Sequence, residues 1–169
     1  MSANKTQKIK LKAETSALPS SKLVGEVDTS YLESLLGYNC RRAALSIIDR
    51  FYERMAVFGL RPVDFSVLSV TMHNPGVTSR QICTAIGILS PNLVRIIQSL
   101  DERGFISRKT DTNDKRAIGL YLTSAGKKLM RDAEISASEL EDQAAAALTV
   151  AERVQLIGLL QKLYRGKSA

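Results

Sequence analysis

The sequence predicts a mainly α-helical fold with one small β-hairpin wing: a winged helix-turn-helix domain beside a helical module. Three observations carry this reading. Apolar residues recur at helical spacing through most of the chain. Gly and Pro break those segments into short lengths. Between Phe105 and Thr123 the pattern changes to that of paired strands.

From Tyr31 to about Phe58 the residues Leu32, Leu36, Cys40, Ala43, Ile47, Phe51 and Met55 recur at spacings of three and four and predict one long helix. Asp28, Thr29 or Ser30 can cap it, and Gly59 ends it. Arg61-Pro62 opens a second helix carrying Phe65, Leu68 and Met72, which stops at Asn74-Pro75-Gly76. Thr78 or Ser79 caps a short helix with Ile82, Ala85 and Ile86, closed by Gly87. Ser90 caps the next, with Pro91 in its first turn and Leu93, Ile96, Ile97 and Leu100 on one face; Gly104 ends it. Phe105–Lys109 and Ala117–Thr123 predict two strands joined by a polar, charged tip. Two helices follow, over roughly Ser124–Leu148 and Val150–Arg165. The first lines up Leu129, Ala133, Ala137, Leu140, Ala144 and Leu148. The second carries Val154, Leu156, Ile157, Leu159, Leu160 and Leu163 around more than half its circumference. A terminal helix on a small monomer keeps one wet face, so this apolar surface predicts a partner chain and, most simply, a homodimer.

The chain has 169 residues, 44% of them hydrophobic, which suffices for a packed core and argues against global disorder. Its apolar runs are too short to span a bilayer, and its polar, lysine-dotted start does not resemble a signal peptide. The expectation is a cytoplasmic protein with no membrane partner. Cys40 and Cys83 are too few for a disulfide framework. With His73 as its single histidine, no metal-ligand spacing and no phosphate-cradling glycine loop, the sequence predicts no catalytic residue, metal or cofactor, and no enzyme.

The net charge of +7 is unevenly spread: +4 over residues 1–25, −1 over 26–75, +3 over 76–126 and +1 over 127–169. A localised positive field suits a polyanion; a solvated tail is the plainer reading, and charge alone leaves both open. These patterns divide the chain into a flexible basic arm over 1–27, a helical module over 28–60 and 124–169, and the winged domain over 61–123.

Two short helices joined at Gly87 and followed by a charged hairpin suit double-stranded DNA. The second helix fits the major groove, and an arginine on the hairpin tip reaches the minor groove. Opposite its apolar seam this helix presents Pro91, Arg95, Gln98 and Glu102, flanked by Asn92, Val94 and Ser99. Arg reads guanine, and Asn or Gln reads adenine. The helix taken alone also suits an ordinary solvent face.

The string Asp111-Thr112-Asn113-Asp114-Lys115-Arg116-Ala117, running through Leu122-Thr123-Ser124-Ala125-Gly126, resembles the wing signature of the MarR family of transcription regulators, approximately D-P-x-D-R-R-A-x-x-x-x-L-T-x-x-G. Leu93 to Arg108 is similar to that family's recognition helix and first wing strand. The resemblance runs from about Tyr31 to the C-terminus. It implies that the helices over 28–60 and 124–169 form a dimerisation module, and with it a homodimer on a palindromic operator, a repressor role, and release by a small-molecule effector bound between the dimer helices and the winged domain. It implies that Arg116 enters the minor groove, that Asp114 holds Arg116 by an ion pair, and that Arg95 reads bases. Two positions depart from the pattern. Lys115 stands for an arginine and loses the planar fork, and Val94 stands where Thr or Ser often occurs. The expected DNA-binding set is therefore Ser90, Asn92, Val94, Arg95, Gln98, Arg108, Lys109, Asp114, Lys115 and Arg116.

Gly37-Tyr38-Asn39-Cys40-Arg41-Arg42-Ala43 is similar to MarR relatives that answer to aromatic acids or their coenzyme A thioesters. Adjacent arginines lie about 100° apart on a helix, so one can face a ligand cleft. Tyr38, Arg41, Arg42 and Phe65 form the expected effector set; ion pairing within a dimer, or snorkelling, is the alternative role for the arginines. Two other functions stay open: redox sensing through Cys40 beside Arg41 and Arg42, and a winged-helix protein-interaction module that does not bind DNA.

Overall fold

The computed structural model describes residues 27–110 and 118–166. In chain order it contains α1 (Ser30–Glu33), α2 (Leu36–Ala56), α3 (Pro62–His73), β1 (Val77–Thr78), α4 (Ser79–Ile86), α5 (Ser90–Glu102), β2 (Ile106–Thr110), β3 (Ile118–Leu122), α6 (Ser124–Ala144) and α7 (Val150–Arg165). Apart from Val27, the basic arm falls outside the described residues, as does the wing tip from 111 to 117.

The predicted first helix is two helices. Leu35 is extended (φ −91°, ψ 126°) and separates α1 from α2. At the break Asn39 Nδ2 donates at 2.7 Å to Glu33 O, which has no backbone partner among the described residues, and at 2.9 Å to Leu35 O, which also accepts the Asn39 backbone N–H at 3.2 Å. An amide one turn into α2 thus satisfies a break that apolar spacing does not reveal. The seam also divides. Met55 is buried, Cys40, Ile47 and Phe51 are half-buried, and Leu32, Leu36 and Ala43 are exposed.

The wing is a three-stranded antiparallel sheet rather than a two-stranded hairpin, with order β1-β3-β2. Val77 pairs with Leu120 and Thr78 with Gly119. The added strand has two residues, too few for alternation to register. It lies close to β3: a Cβ at Gly119 would stand 3.0 Å from Gly76 O. Thr78 then caps α4, accepting from Gln81 N while Gln81 Oε1 accepts from Thr78 N at 2.8 Å. Ser90 is not a cap but the first residue of α5; extended Leu89 occupies the cap position, with no side-chain cap bond.

The core lies where α3, α4, α5, the sheet, the end of α2 and the first half of α6 meet. Leu68, Ile82, Leu93, Leu100, Ile106, Leu120 and Met130 are fully buried there. Asp64 is also buried, at 3% exposure. It accepts from Arg61 Nε and Nη2, both at 2.9 Å, and from Arg61 N at 3.1 Å. That paired carboxylate holds the Arg61 guanidinium above its ordinary pKa by hydrogen bonding and by charge.

Helix α6 ends at Ala144, a turn earlier than its seam predicts, and Leu148 lies in the connection to α7. Helix α7 matches its expected span and buries no residue. Among the described residues, no single helix is long and apolar enough to cross a membrane.

Candidate nucleic-acid interface

Helices α4 and α5 are set at 116° to one another, within the range of helix-turn-helix units. Gly87 makes the turn. Its left-handed backbone (φ +67°) lets Cys83 O accept from the N–H groups of both Gly87 and Ile88. On α5, Leu93, Ile96, Ile97 and Leu100 are buried and fix which face looks outward.

The opposite face presents Ser90, Asn92, Val94, Arg95 and Gln98 to solvent. Four of these five side chains can hydrogen-bond to a base edge or a phosphate; Val94 offers a methyl surface. Gln98 is tethered, its Nε2 donating to Glu102 Oε1 at 3.0 Å, so the carboxylate occupies one of its donors.

The two predicted wing-strand residues part company. Arg108 pairs across the sheet with Leu120 and donates through Nε to Asp101 Oδ2 at 3.1 Å, which ties β2 to the end of α5. Lys109 lies on the other face, its Nζ 5.2 Å from the centre of the Tyr121 ring. Adjacent residues on opposite faces cannot serve one phosphate together. Asp114, Lys115 and Arg116 lie outside the described residues. Sequence reasoning passed over exposed Leu89, immediately before α5, and exposed Arg80 on α4. A lone leucine outside a seam and a lone arginine inside a short helix carry no pattern.

The expected effector set is not assembled within one chain. Phe65 packs edge-on against Phe51, centroids 5.3 Å apart, and opens on a cleft of about 520 Å³ shared with Ser69, Ala137, Ser138, the carboxylates of Glu134, Glu141 and Asp142, and Arg153, which pairs with Asp142. Glu134 accepts from Ser69 Oγ at 2.8 Å and lies 3.0 Å from His73 Nε2, fastening α3 to α6. Tyr38, Arg41 and Arg42 lie on the first turns of α2, thirteen residues from Phe51 in the case of Tyr38, or about 20 Å along a helix. Arg41 and Arg42 are exposed and Tyr38 is half-buried. Cys40 is half-buried on the same stretch.

Comparison with known proteins places these features among regulators. A model of the MarR family matches residues 58–117. The chain is 28% identical over 151 residues to the "Putative transcriptional regulatory protein for hcr operon" of Thauera aromatica, covering 89% of this chain and 91% of the relative. The transcriptional repressor CouR bound to a 23-mer DNA duplex superposes with a TM-score of 0.77 at 33% identity, covering 82% of this chain and 99% of CouR. CouR from Rhodococcus jostii RHA1 bound to p-coumaroyl-CoA shares the fold at a TM-score of 0.74 and 22% identity, covering 78% and 93%.

Proposed function

This chain belongs to the MarR family, and from that premise we propose that it is a homodimeric repressor of a palindromic operator, released by a small aromatic acid or its coenzyme A thioester. It is a transcriptional regulator and not an enzyme. The observation that carries the DNA reading is the outward face of α5: a polar stripe on a helix whose apolar stripe is fully engaged in the core. Ser90, Asn92, Val94, Arg95 and Gln98 read the major groove, Arg108, Lys109 and Lys115 meet backbone charge, and Arg116, steadied by Asp114, enters the minor groove. The protein acts in the cytoplasm, on double-stranded DNA.

The dimer reading is supported by what the single chain leaves uncovered. On α7, Val154, Leu156, Ile157, Leu159 and Leu163 are all exposed, as are Tyr31, Leu32 and Leu36 at the start of the helical module. So much apolar surface on three helices is the mark of an interface. A two-fold axis would set paired α5 helices about one duplex turn apart, roughly 34–36 Å, and the operator would mirror that symmetry.

The effector reading is supported by the Phe65 cleft and by the arginine pair on α2. An aromatic ring fits against Phe65 and Ala137; Arg41 or Arg42, about two and a half turns or more from Phe51 along α2, suits the distant phosphate groups of a coenzyme A thioester, or the acid group when the partner chain supplies the arginine. Release requires the effector to bind more tightly to a dimer whose α5 helices no longer match successive grooves.

A gel-shift with the chain's own upstream region tests the main claim. Arg95→Ala and Arg116→Ala are each expected to weaken specific binding by about tenfold or more. A wild-type protein that retards neither this region nor any duplex selected from a random pool would end the proposal. The five lysines of residues 1–25 carry a separate expectation. Removing that segment should flatten the dependence of log affinity on log salt, by up to about 0.9 in slope for each phosphate that is no longer neutralised. An unchanged slope would exclude the arm from binding.

A further inference from the structure

Just past its C-terminal end, α5 meets two helices of the dimerisation module, α2 and α6, at one point. Thr123, the cap of α6, donates from Oγ1 to Gly104 O at 2.6 Å and from its backbone N to Phe105 O at 3.0 Å. The same hydroxyl accepts from Gly126 N at 3.0 Å, in the first turn of α6. On the other side, Arg103 Nη2 donates to Gly59 O at 2.9 Å, just past the end of α2, while its guanidinium lies 4.9 Å from the centre of the Phe105 ring. One hydroxyl and one guanidinium therefore join the residues that follow the reading helix, Arg103 to Phe105, to α6 and α2. The Ser69–Glu134 bond also ties the winged domain to α6, but through α3 and not through α5.

We propose that Thr123 and Arg103 are positioning residues that transmit the geometry of the dimer to α5 and so set the half-site spacing the protein accepts. The inference rests on the dimeric DNA-binding reading. The argument is mechanical. The buried stripe of α5 holds it within the winged domain, whereas the distance between two α5 helices depends on how firmly each domain is fixed to α2 and α6. Removing these bonds touches no base-reading side chain. It lowers the strain that a mis-spaced duplex imposes, so discrimination by spacing falls.

The test uses the full chain and the tightest-binding duplex selected from a random pool, alongside a copy lengthened by two base pairs at its centre. That insertion rotates one half-site by about 70° relative to the other. The readout is the ratio of the two affinities, which a merely destabilised protein leaves unchanged because its folded fraction is the same for both duplexes. Wild type is expected to prefer the selected duplex by about tenfold or more, a margin comparable to that of a mismatched base pair. In Thr123→Val the ratio should fall below about threefold, and Thr123→Ser should restore it. If Thr123→Val does not fold, Arg103→Ala, at an exposed position, makes the same measurement. A wild-type ratio kept by both Thr123→Val and Arg103→Ala overturns the inference, as does a Thr123→Ser protein that behaves like the valine variant. A wild type that selects no duplex, or ignores the insertion, instead overturns the dimeric reading beneath it.

Discussion

Replacing Leu156 and Leu163 of α7 by Glu is expected to yield a folded monomer with about a thousandfold less operator affinity. The two leucines are 44% and 51% exposed, and no residue of α7 is fully buried within its own chain. Their loss therefore opens no cavity in the core that Leu68, Leu93 and Met130 build, and the monomer should keep its helical content. In the proposed dimer the same positions are interior. A carboxylate there must be desolvated without a partner, which costs several kcal/mol per group and appears on both copies. Once the dimer is lost, each half-site must be bound by itself. The effective concentration that links two binding events is worth roughly 10²–10⁴ in affinity. Sedimentation would report the mass and a titration of duplex the affinity. A double variant that remains dimeric and binds normally would remove α7 from the interface. One that is monomeric yet binds its operator with full strength would show that pairing is not needed for recognition.

The substitution is chosen on a feature that periodicity made legible. The apolar residues of α7 exceed what one buried face requires, and that surplus can be counted without coordinates. The stripe of α5 was legible for the complementary reason: the offsets of Leu93, Ile96, Ile97 and Leu100 match one face, and all four are buried. Periodicity assigns rotation about a helix, however, and not distance between helices. It could not tell that Phe65 opens on a cleft while Tyr38, Arg41 and Arg42 lie about two and a half to three and a half turns from Phe51 along α2. Nor could it find the break at Leu35, where the Asn39 side chain gives Glu33 O the bond that a continuous helix would have made. β1 escaped because a two-residue strand has no period. The wing strands differed only in detail, but Arg108 and Lys109 were grouped by charge although neighbouring strand residues face opposite ways. The Thr-x-x-Gly string at 123–126 was legible only as part of a family resemblance. What it does depends on the return of Gly104 and Phe105 to the start of α6, which brings together residues some twenty positions apart.

Gly126→Ala is expected to destabilise the protein by about 2–3 kcal/mol, lowering the melting midpoint by roughly 5–10 °C for a chain of this size. The cause is space and not backbone freedom. Gly126 does not have positive φ, but a Cβ on it would stand 2.2 Å from Phe105 O, with Phe105 C at 3.1 Å. That carbonyl is already held by Thr123 N at 3.0 Å, so it cannot retreat without breaking the bond that fastens α6 to the end of α5. Two other glycines separate this cause from the alternatives. At Gly104 (φ +74°) nothing lies within 4 Å of an added Cβ, so Gly104→Ala meets only left-handed strain, about 1–2 kcal/mol. Gly37, inside α2 and exposed, also has nothing within 4 Å, and Gly37→Ala should stabilise the helix by up to about 1 kcal/mol. Thermal melts of the three variants at one protein concentration, since the proposed dimerisation would itself raise the midpoint, should therefore rank Gly126→Ala lowest, Gly104→Ala below wild type, and Gly37→Ala at or above it. If Gly126→Ala melts with wild type, the close approach of α6 to Phe105 is not a feature of the folded protein. The junction proposed to position α5 would then lose its foundation along with it.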